Sequence, residues 1–262
     1  MNVRTEIGYS ERNRIVVRGR DLARDVIGKM DFVDMLFLLI FSRGPEEGEK
    51  RMVNALLVTA ADHGLTPITL AARLTMLGAP EALQGAVAAG LLGGGDRFLG
   101  TTQTVCEMLV KACGALPDAP DDNQVAEAAR AIVADHRAQR RFVPGFGHPI
   151  HTDGDPRVPA LVAISRDNGY YTVHWRLLHA IEAAIADHSG RKLPLNGAGA
   201  MGAMFAELGF APMLARGLAL VGRCAGIVAH LVEESQAPIA ADVWKLVLDQ
   251  DPRNSGGKGA GG

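Results

Sequence analysis

Residues Pro144–His151 read Pro-Gly-Phe-Gly-His-Pro-Ile-His, lie between two regions of helical pattern, and continue to Asp155-Pro156-Arg157. Proline removes a backbone donor and fixes φ, and glycine permits φ values that other residues avoid, so this stretch resists helix formation. A loop on a rigid scaffold is the usual place for reactive side chains. We therefore expect a loop that displays His148 and Arg157.

These two side chains suit a carboxylated substrate. Imidazole exchanges a proton near neutral pH, and guanidinium holds a carboxylate through two parallel hydrogen bonds. Arg157 follows His148 by nine residues (157 − 148). On spacing alone, a histidine in a Gly/Pro turn can also be a surface or capping residue, so the pair suggests a site without deciding one.

Composition places the chain among ordinary globular proteins. Its 262 residues include 48% hydrophobic and 21% charged side chains, with a net charge of −2, which allows one large or two modest domains and argues against nucleic-acid binding. Three cysteines without a Cys-x-x-Cys pair indicate reduced thiols in a cytoplasmic protein. There is no signal-peptide core, and the longest purely apolar run, Met35–Phe41, is too short to span a bilayer, so no membrane partner is expected.

Apolar periodicity and helix start signals predict helices over most of the chain. The helix after Asp31 is apolar all round, which indicates burial on every side or contact with a partner subunit. Residues 1–20 look irregular, no β-hairpin is convincing, and residues 251–262 are expected to form a disordered tail. The predicted fold class is therefore all-α. The later helices are predicted over 67–78, 103–113, 125–141, 158–167, 171–188, 198–208, 212–233 and 240–248.

Three further polar residues each have two interpretations. His63 ends a helix just before Gly64. The helix dipole favours a cationic residue there, so His63 is either a C-terminal cap or a functional residue. His151 follows His148 by three residues and is explained either by turn chemistry or as a second polar contact. Lys192 lies in a second non-helical loop and either holds a phosphate or is a solvated charge.

Four short motifs along the chain belong together. They are Ala61-Asp62-His63-Gly64; the glycine-rich stretch 90–98; Gly145-Phe146-Gly147-His148 with Asp155-Pro156-Arg157; and Leu195-Asn196, followed by Gly222-Arg223. With these motifs the sequence resembles the citrate synthase superfamily over about residues 14–250. It looks most like the short members, the stand-alone citryl-CoA lyases and the C-terminal lyase module of ATP-citrate lyase. The Gly-x-Gly-His loop with a downstream Asp-Pro-Arg is specific, and the four motifs together are more so.

The resemblance implies a homodimer or larger homo-oligomer with an all-α subunit. Each subunit would have a large helical domain and a smaller helical domain, with the active site in the cleft between them. The large domain would be residues 1–66 and 203–250, and the small domain residues 67–202. Closure of the small domain would exclude water and align coenzyme A with the acid.

The resemblance also implies roles for particular residues. The counterpart of His63 polarises the thioester carbonyl and stabilises its enolate, and that of His148 exchanges a proton with the keto or hydroxyl oxygen. Arg157 and Arg223 match arginines that clamp substrate carboxylates. Coenzyme A or acyl-CoA is the implied substrate, and no metal is required. The residues expected at the coenzyme A site are Gly145, Phe146, Gly147, Pro149, Lys192 and Asn196.

One position departs from the family pattern. The family's third catalytic group is an Asp two residues after the Asn of the second loop, and here that position is Ala198. Losing a general acid–base group typically costs ~10²–10⁴-fold in rate. Three outcomes remain open. Another group or water protonates the enolate, the protein acts on a different acyl-CoA, for instance by thioester hydrolysis, or it binds coenzyme A without catalysis.

The first interpretation is an enzyme of the citryl-CoA lyase type, which would be an acyltransferase in the reverse direction. It would split citryl-CoA or a related carboxylated β-hydroxyacyl-CoA into a short acyl-CoA and an oxo acid. The alternative is a catalytically altered homologue that binds coenzyme A or hydrolyses a thioester. The retained His63, His148 and Arg157 favour the enzyme, and Ala198 favours the alternative.

Overall fold

The computed structural model describes residues 3–190 and 192–254, and most of these residues are helical. The bounds lie close to the predicted ones, and the all-α fold class is confirmed. The described residues contain eleven α-helices: α1 (Phe32–Phe41), α2 (Glu47–Ala61), α3 (Pro67–Gly78), α4 (Leu83–Leu92), α5 (Thr101–Cys113), α6 (Asp122–Ala138), α7 (Arg157–Asp167), α8 (Val173–Ser189), α9 (Gly197–Glu207), α10 (Pro212–Gln236) and α11 (Ala240–Gln250).

Side-chain caps explain where several helices begin. The side chain of Asp31 accepts the backbone N–H of Asp34 before α1, and Asp34 returns the bond, as predicted for a cap at this position. Helix α6 begins at Asp122, one turn earlier than predicted, because Asp121 and Gln124 also form a capping box. Two π-helical segments, Leu22–Val26 and Gly95–Gly100, precede α1 and α5.

A small antiparallel sheet near the N-terminus corrects the expectation that residues 1–20 are irregular. Strands β1 (Gly8–Ser10), β2 (Ile15–Val17) and β3 (Arg20–Asp21) pair in chain order. Arg18 and Gly19 join β2 to β3 with φ of 46° and 78°, the left-handed pair of a two-residue hairpin turn. Arg-Gly is not a usual turn dipeptide, and such short strands carry little alternation, so the pattern gives no strong signal.

Helix α1 is covered along most of its length in the single chain, and its buried residues are Val33, Leu36, Phe37 and Leu38. Phe37 and Leu38 are 1% exposed, whereas Phe32 in the first turn is 63% exposed. The ring of Phe41 packs 4.7 Å from that of Phe210, which ties this helix to the start of α10. The apolar run Met35–Phe41 is buried or half-buried throughout, and contact of α1 with a partner subunit stays a prediction.

Helix α10 is the central element of the fold. It contacts α2, α3, α4, α5 and α9, and its buried residues include the charged Arg223 and Glu234. By length and composition it is the one described helix that could also cross a membrane, with a mean hydropathy of 1.4 over its most apolar window. The same composition is typical of the core helix of a globular protein.

Two hydrophobic clusters fill the fold. The larger is built by α1, α2 and α5 to α10, and includes Phe37, Trp175 and Phe205. The smaller joins α3 and α4 to the second half of α10 through residues such as Ile68 and Leu231. The predicted division into residues 1–66 with 203–250 and residues 67–202 stays a prediction. Residues 255–262 of the predicted tail lie outside the described residues.

Candidate active site

Three segments meet at the predicted site: the end of α2 at residues 62–64, the loop 144–151, and the loop 193–196. Backbone hydrogen bonds join the two loops, from Asn196 N–H to Gly145 O (3.0 Å) and from Gly147 N–H to Pro194 O (2.8 Å). Asn196 Nδ2 donates to Gly147 O (2.8 Å), and its Oδ1 accepts an N–H of α9 as the N-cap. The loop predicted around His148 is thus a rigid, hydrogen-bonded structure.

Glycine is required at two positions of this loop. Gly145 and Gly147 have φ of 91° and 76°, which side chains rarely adopt. A Cβ atom on Gly145 would also lie 2.9 Å from the Cα of Gly199 in α9. These glycines therefore shape the loop, whereas Pro149 and Lys192 are exposed beside it, and their coenzyme A contacts stay a prediction.

Three imidazoles form the centre of the site. The ring centroid of His63 lies 5.3 Å from that of His148 and 5.9 Å from that of His151. The rings of His148 and His151 stack at 4.5 Å. The structure thus brings together the two predicted catalytic histidines, and it adds His151, for which the sequence left two interpretations.

The ring of His148 is held in one orientation by the backbone. Its Nδ1 accepts the N–H groups of Ile150 and His151, both at 3.1 Å. A neutral imidazole whose Nδ1 is an acceptor carries its proton on Nε2. Burial, and then the neighbouring His151, lower the pKa of His148 below its usual value. Near neutral pH the ring therefore presents its Nε2–H as a donor, while backbone N–H groups occupy its Nδ1 acceptor.

His63 lies in an electropositive environment. Burial is the largest cause that lowers its pKa, followed by the positive charge of Arg157, and Arg223 contributes in the same direction. The ring is therefore neutral near neutral pH and can donate one N–H to a developing oxyanion.

Arg157 is fixed by a carboxylate of its own loop. Its Nε donates to Asp155 Oδ1 (2.9 Å) and its Nη2 to Oδ2 (2.6 Å). Asp155 Oδ2 also accepts the N–H of Gly197 at the start of α9 (2.7 Å). Burial alone would raise the pKa of Asp155, but these bonds hold it far below its usual range. The side chain of Arg157 remains partly exposed (26%), so part of the guanidinium is open to a ligand.

Arg223, on α10, is buried without a full set of partners. It is 8% exposed, and among the described residues its Nε and Nη1 atoms have no hydrogen-bond partner. Burial lowers the pKa of Arg223, and the charge of Asp62 opposes that effect. A buried, unpaired guanidinium is costly unless an anion completes it. This feature points to a carboxylate ligand.

Two carboxylates associated with α9, the helix that holds Ala198, are already engaged. Glu207, at the other end of α9, accepts three backbone N–H groups at the start of α8 with its Oε1 atom. Asp155 is held by Arg157 and Gly197. No carboxylate among these takes the place of the Asp that the family pattern expects at 198.

A cavity of ≈ 600 Å³ opens beside the loop, between α6 and α8. Its walls combine apolar side chains with three arginines that the sequence analysis did not assign. Arg137, Arg140 and Arg141 give the helix predicted over 125–141 a basic end, which could have indicated an anion site. The helix dipole explains basic residues at that end equally well. The cavity is lined by Val133, Arg137, Arg140, Arg141, Phe142, Val143, Phe146, Gly147, Ile185, His188 and Leu193.

The three imidazoles also offer donor atoms within 4.8 Å of one another, a spacing at which a metal ion could be held. The positive charges of Arg157 and Arg223 act on the same place. They oppose a cation and favour an anion. The electrostatics of the site therefore match a carboxylated ligand better than a metal.

A second polar network lies behind His63. Asp62 Oδ1 accepts from His230 Nε2 (2.9 Å), and His230 Nδ1 accepts from Arg73 Nη2 (2.8 Å). Because a guanidinium only donates, this fixes the tautomer of His230. Arg73 also donates to Glu234 (2.7 Å) and to Glu233. The network connects the start of the His63 loop to α3 and α10.

The two histidines lie in loops, Arg157 begins α7 and Arg223 lies on α10, and both arginines act on the charge of His63. The family model described as "Citrate synthase, C-terminal domain" matches residues 2–241. The chain therefore belongs to the citrate synthase family, and the predicted resemblance is confirmed. A sequence comparison with curated proteins finds no match.

Solved structures with this fold include lyases and synthases. Citryl-CoA lyase from Hydrogenobacter thermophilus is 29% identical, with 90% of this chain and 88% of that chain covered and a TM-score of 0.77. ATP citrate lyase from Methanosaeta concilii, a D541A mutant in complex with (3S)-citryl-CoA, is 21% identical over 90% of this chain and 39% of that chain, with a TM-score of 0.74. Citrate synthase from Thermotoga maritima is 18% identical over 79% and 55%, with a TM-score of 0.65. These likenesses support the prediction of a lyase-like enzyme of this superfamily.

Proposed function

We propose that this protein is a CoA-dependent carbon–carbon lyase that splits citryl-CoA, or a related carboxylated β-hydroxyacyl-CoA, into a short acyl-CoA and an oxo acid. The observation that carries the proposal is the buried guanidinium of Arg223, whose Nε and Nη1 lack partners among the described residues, beside the histidine cluster. The likeness to citryl-CoA lyase, at 29% identity, supports the same substrate class.

The two arginines are suited to hold the acid part of the substrate. Arg223 would gain the anion that its burial requires, and Arg157, already positioned by Asp155, would add a second charge-assisted contact. Two guanidinium groups near one histidine favour a di- or tricarboxylate over a simple acyl chain. The acid part is therefore the proposed basis of specificity.

The two assigned histidines are suited to stabilise charge on oxygen. Cleavage breaks the bond between the carbinol carbon and the CH₂ group next to the thioester, and leaves a thioester enolate. His63, neutral and close to Arg157 and Arg223, would donate its N–H to the enolate oxygen. His148, with its proton on Nε2, would donate to the carbinol oxygen as this becomes a carbonyl.

The cavity beside Phe146 and Gly147 is suited to coenzyme A. Its size falls in the range of small-molecule sites, and its apolar walls can cover a pantetheine chain or an adenine ring. Arg137, Arg140 and Arg141 would meet the phosphates. Lys192, exposed after α8, is a further phosphate ligand in this proposal.

We also propose that the protein acts as a homodimer or larger homo-oligomer. Helix α11 leaves Trp244, Leu246 and Val247 exposed by 58–64%, and exposed apolar patches often mark interfaces. The molar mass in solution, measured by light scattering after size exclusion, tests this proposal. A monomer at micromolar concentration would contradict it.

A reducing, cytoplasmic location is proposed from the thiols. Cys106, Cys113 and Cys224 are free, and burial raises the pKa of Cys106 to about 11 and that of Cys113 to about 12. Such thiols are unreactive packing groups. Fluorescence microscopy of a tagged chain tests the location.

The function is tested by incubating the purified protein with citryl-CoA and measuring acetyl-CoA and oxaloacetate by mass spectrometry. We expect cleavage, and we expect His148→Ala to slow it about 10²–10³-fold, because His148 would donate to the carbinol oxygen. Formation of free coenzyme A and citrate instead would favour thioester hydrolysis. Coenzyme A binding without any turnover would favour the catalytically altered homologue.

A further inference from the structure

The proposed cleavage must move one proton from the carbinol oxygen to the departing carbon. His148 is poorly suited to take it, because backbone N–H groups occupy its Nδ1 and leave the proton on Nε2. Position 198, where the family pattern has Asp, is Ala. Asp155 and Glu207 are engaged in hydrogen bonds elsewhere. None of these groups is therefore suited to carry this proton.

We propose that His151 is this proton carrier and that it replaces the carboxylate absent at Ala198, an inference that rests on the proposed lyase function. The ring of His151 stacks on that of His148 at 4.5 Å with an interplanar angle of 25°, and lies 5.9 Å from that of His63. None of the described residues forms a hydrogen bond with its ring nitrogens. His151 thus combines the right position with an unoccupied acid–base function.

One of the two backbone bonds that orient His148 also places His151. The N–H of His151 donates to Nδ1 of His148 (3.1 Å), so this bond helps to make His148 an N–H donor and holds His151 beside it. One ring nitrogen from each of the three histidines lies within 4.8 Å of the others. An imidazole there would reach both the carbinol oxygen beside His148 and the carbon next to the thioester beside His63 in the proposed lyase complex.

One imidazole can carry the proton through the whole reaction. Neutral His151 takes the carbinol O–H proton, and the O–H electrons form the new carbonyl. The carbon–carbon bond breaks, and its electrons pass to the thioester enolate, whose oxygen His63 holds. The His151 imidazolium then protonates the enolate carbon, giving the methyl group of the acyl-CoA and neutral His151. No oxidant, water or metal is consumed.

The first test uses two substitutions at position 151. His151→Asn keeps the backbone donor to His148 but carries no proton, and His151→Phe keeps the aromatic stack as well. We expect each variant to lose about 10²–10⁴-fold in kcat for citryl-CoA cleavage, with a small change in KM. If His151→Phe retains wild-type kcat, the ring acts only by packing, and the proposal is wrong.

The second test restores the missing carboxylate. Ala198→Asp in the His151→Asn background is expected to recover at least about tenfold in kcat, since general acid–base catalysis contributes that much or more. Recovery would show that side chains at positions 151 and 198 can carry the same proton. His136→Asn, a half-buried histidine of α6 bonded to the carbonyl of Ile132, is the matched control and should keep wild-type activity.

A partial reaction tests the role of His151 independently of whether citryl-CoA is the substrate. The protein is mixed with acetyl-CoA in D₂O, with malate present to fill the acid position, and deuteration of the methyl group is followed by NMR. We expect exchange in the wild type and its loss in His151→Asn. Exchange that depends on His151, without citryl-CoA cleavage, would support the proton carrier and reject the substrate. Absence of exchange in the wild type, or equal exchange in the variant, would overturn the proposal.

Discussion

Two buried arginines, Arg73 and Arg223, are both associated with α10 and differ in how their charge is balanced. Arg73 is 1% exposed and donates to Glu233, Glu234 and His230. Arg223 is 8% exposed, and its Nε and Nη1 find no partner among the described residues. Residue type and burial are alike, so the partners alone distinguish them.

This difference in partners suggests that the charge of Arg73 is structural and that the charge of Arg223 serves ligand binding. A buried guanidinium with carboxylate partners is satisfied within the fold, and it ties α3 to α10 and, through His230, to Asp62. A buried guanidinium without partners retains the desolvation cost until an anion arrives. The second arrangement is expected where a ligand carboxylate completes the site, beside His63.

The largest effect is expected from Arg73→Leu, which removes the structural charge. The carboxylate of Glu234, with a side chain 5% exposed, would be left buried without its cation. Breaking such a pair costs about 3–5 kcal/mol, measured as the free energy of unfolding in urea. Arg176→Leu, which breaks a surface pair with Asp122, is the control and should cost about 0–1 kcal/mol. Equal effects of the two variants would contradict the distinction.

A smaller effect, on activity alone, is expected from Arg223→Leu. Because no described group depends on Nε or Nη1 of Arg223, the free energy of unfolding should stay the same or rise. Loss of one charge-assisted contact of about 1.5–3 kcal/mol should lower kcat/KM for citryl-CoA by about 10- to 150-fold. Arg223→Lys, which keeps the charge, should lose less. Destabilisation comparable to that of Arg73→Leu would show that Arg223 is structural.

The smallest expected effect is a shift in the pH dependence of kcat/KM. The pKa of His63 lies below its usual 6.5, and Arg223 is one of the causes. Activity that needs neutral His63 is lost as pH falls through this lowered pKa. Removing the charge in Arg223→Leu should raise the pKa and move the acid-side midpoint upward, toward 6.5. A midpoint that stays in place would mean that Arg223 does not act on His63.

The helices were predictable because their signals are local. Asp31 and Thr66-Pro67 mark the starts of α1 and α3 by side-chain and proline chemistry within one turn. The hairpin at Arg18-Gly19 was not predicted, because an arginine with φ of 46° is held by the pairing of its strands rather than by its own preference.

The candidate site was predictable in part. His63, His148, Arg157 and Arg223 were assigned by motif, and the structure brings the two histidines together. His151 was left open because its spacing from His148 also fits a turn. The arginines of the cavity were missed because a basic helix end has a sufficient local explanation.

The sequence by itself determined the all-α class, the two glycine-dependent loops, and the chemistry available at each. Those properties follow from backbone preferences and from side-chain type, which are set residue by residue. Only the tertiary structure decided which charges are satisfied: Arg73 meets its carboxylates across 160 residues or more, whereas Nε and Nη1 of Arg223 have no partner among the described residues. Partnership between distant residues depends on how the helices pack, and burial makes a missing partner costly.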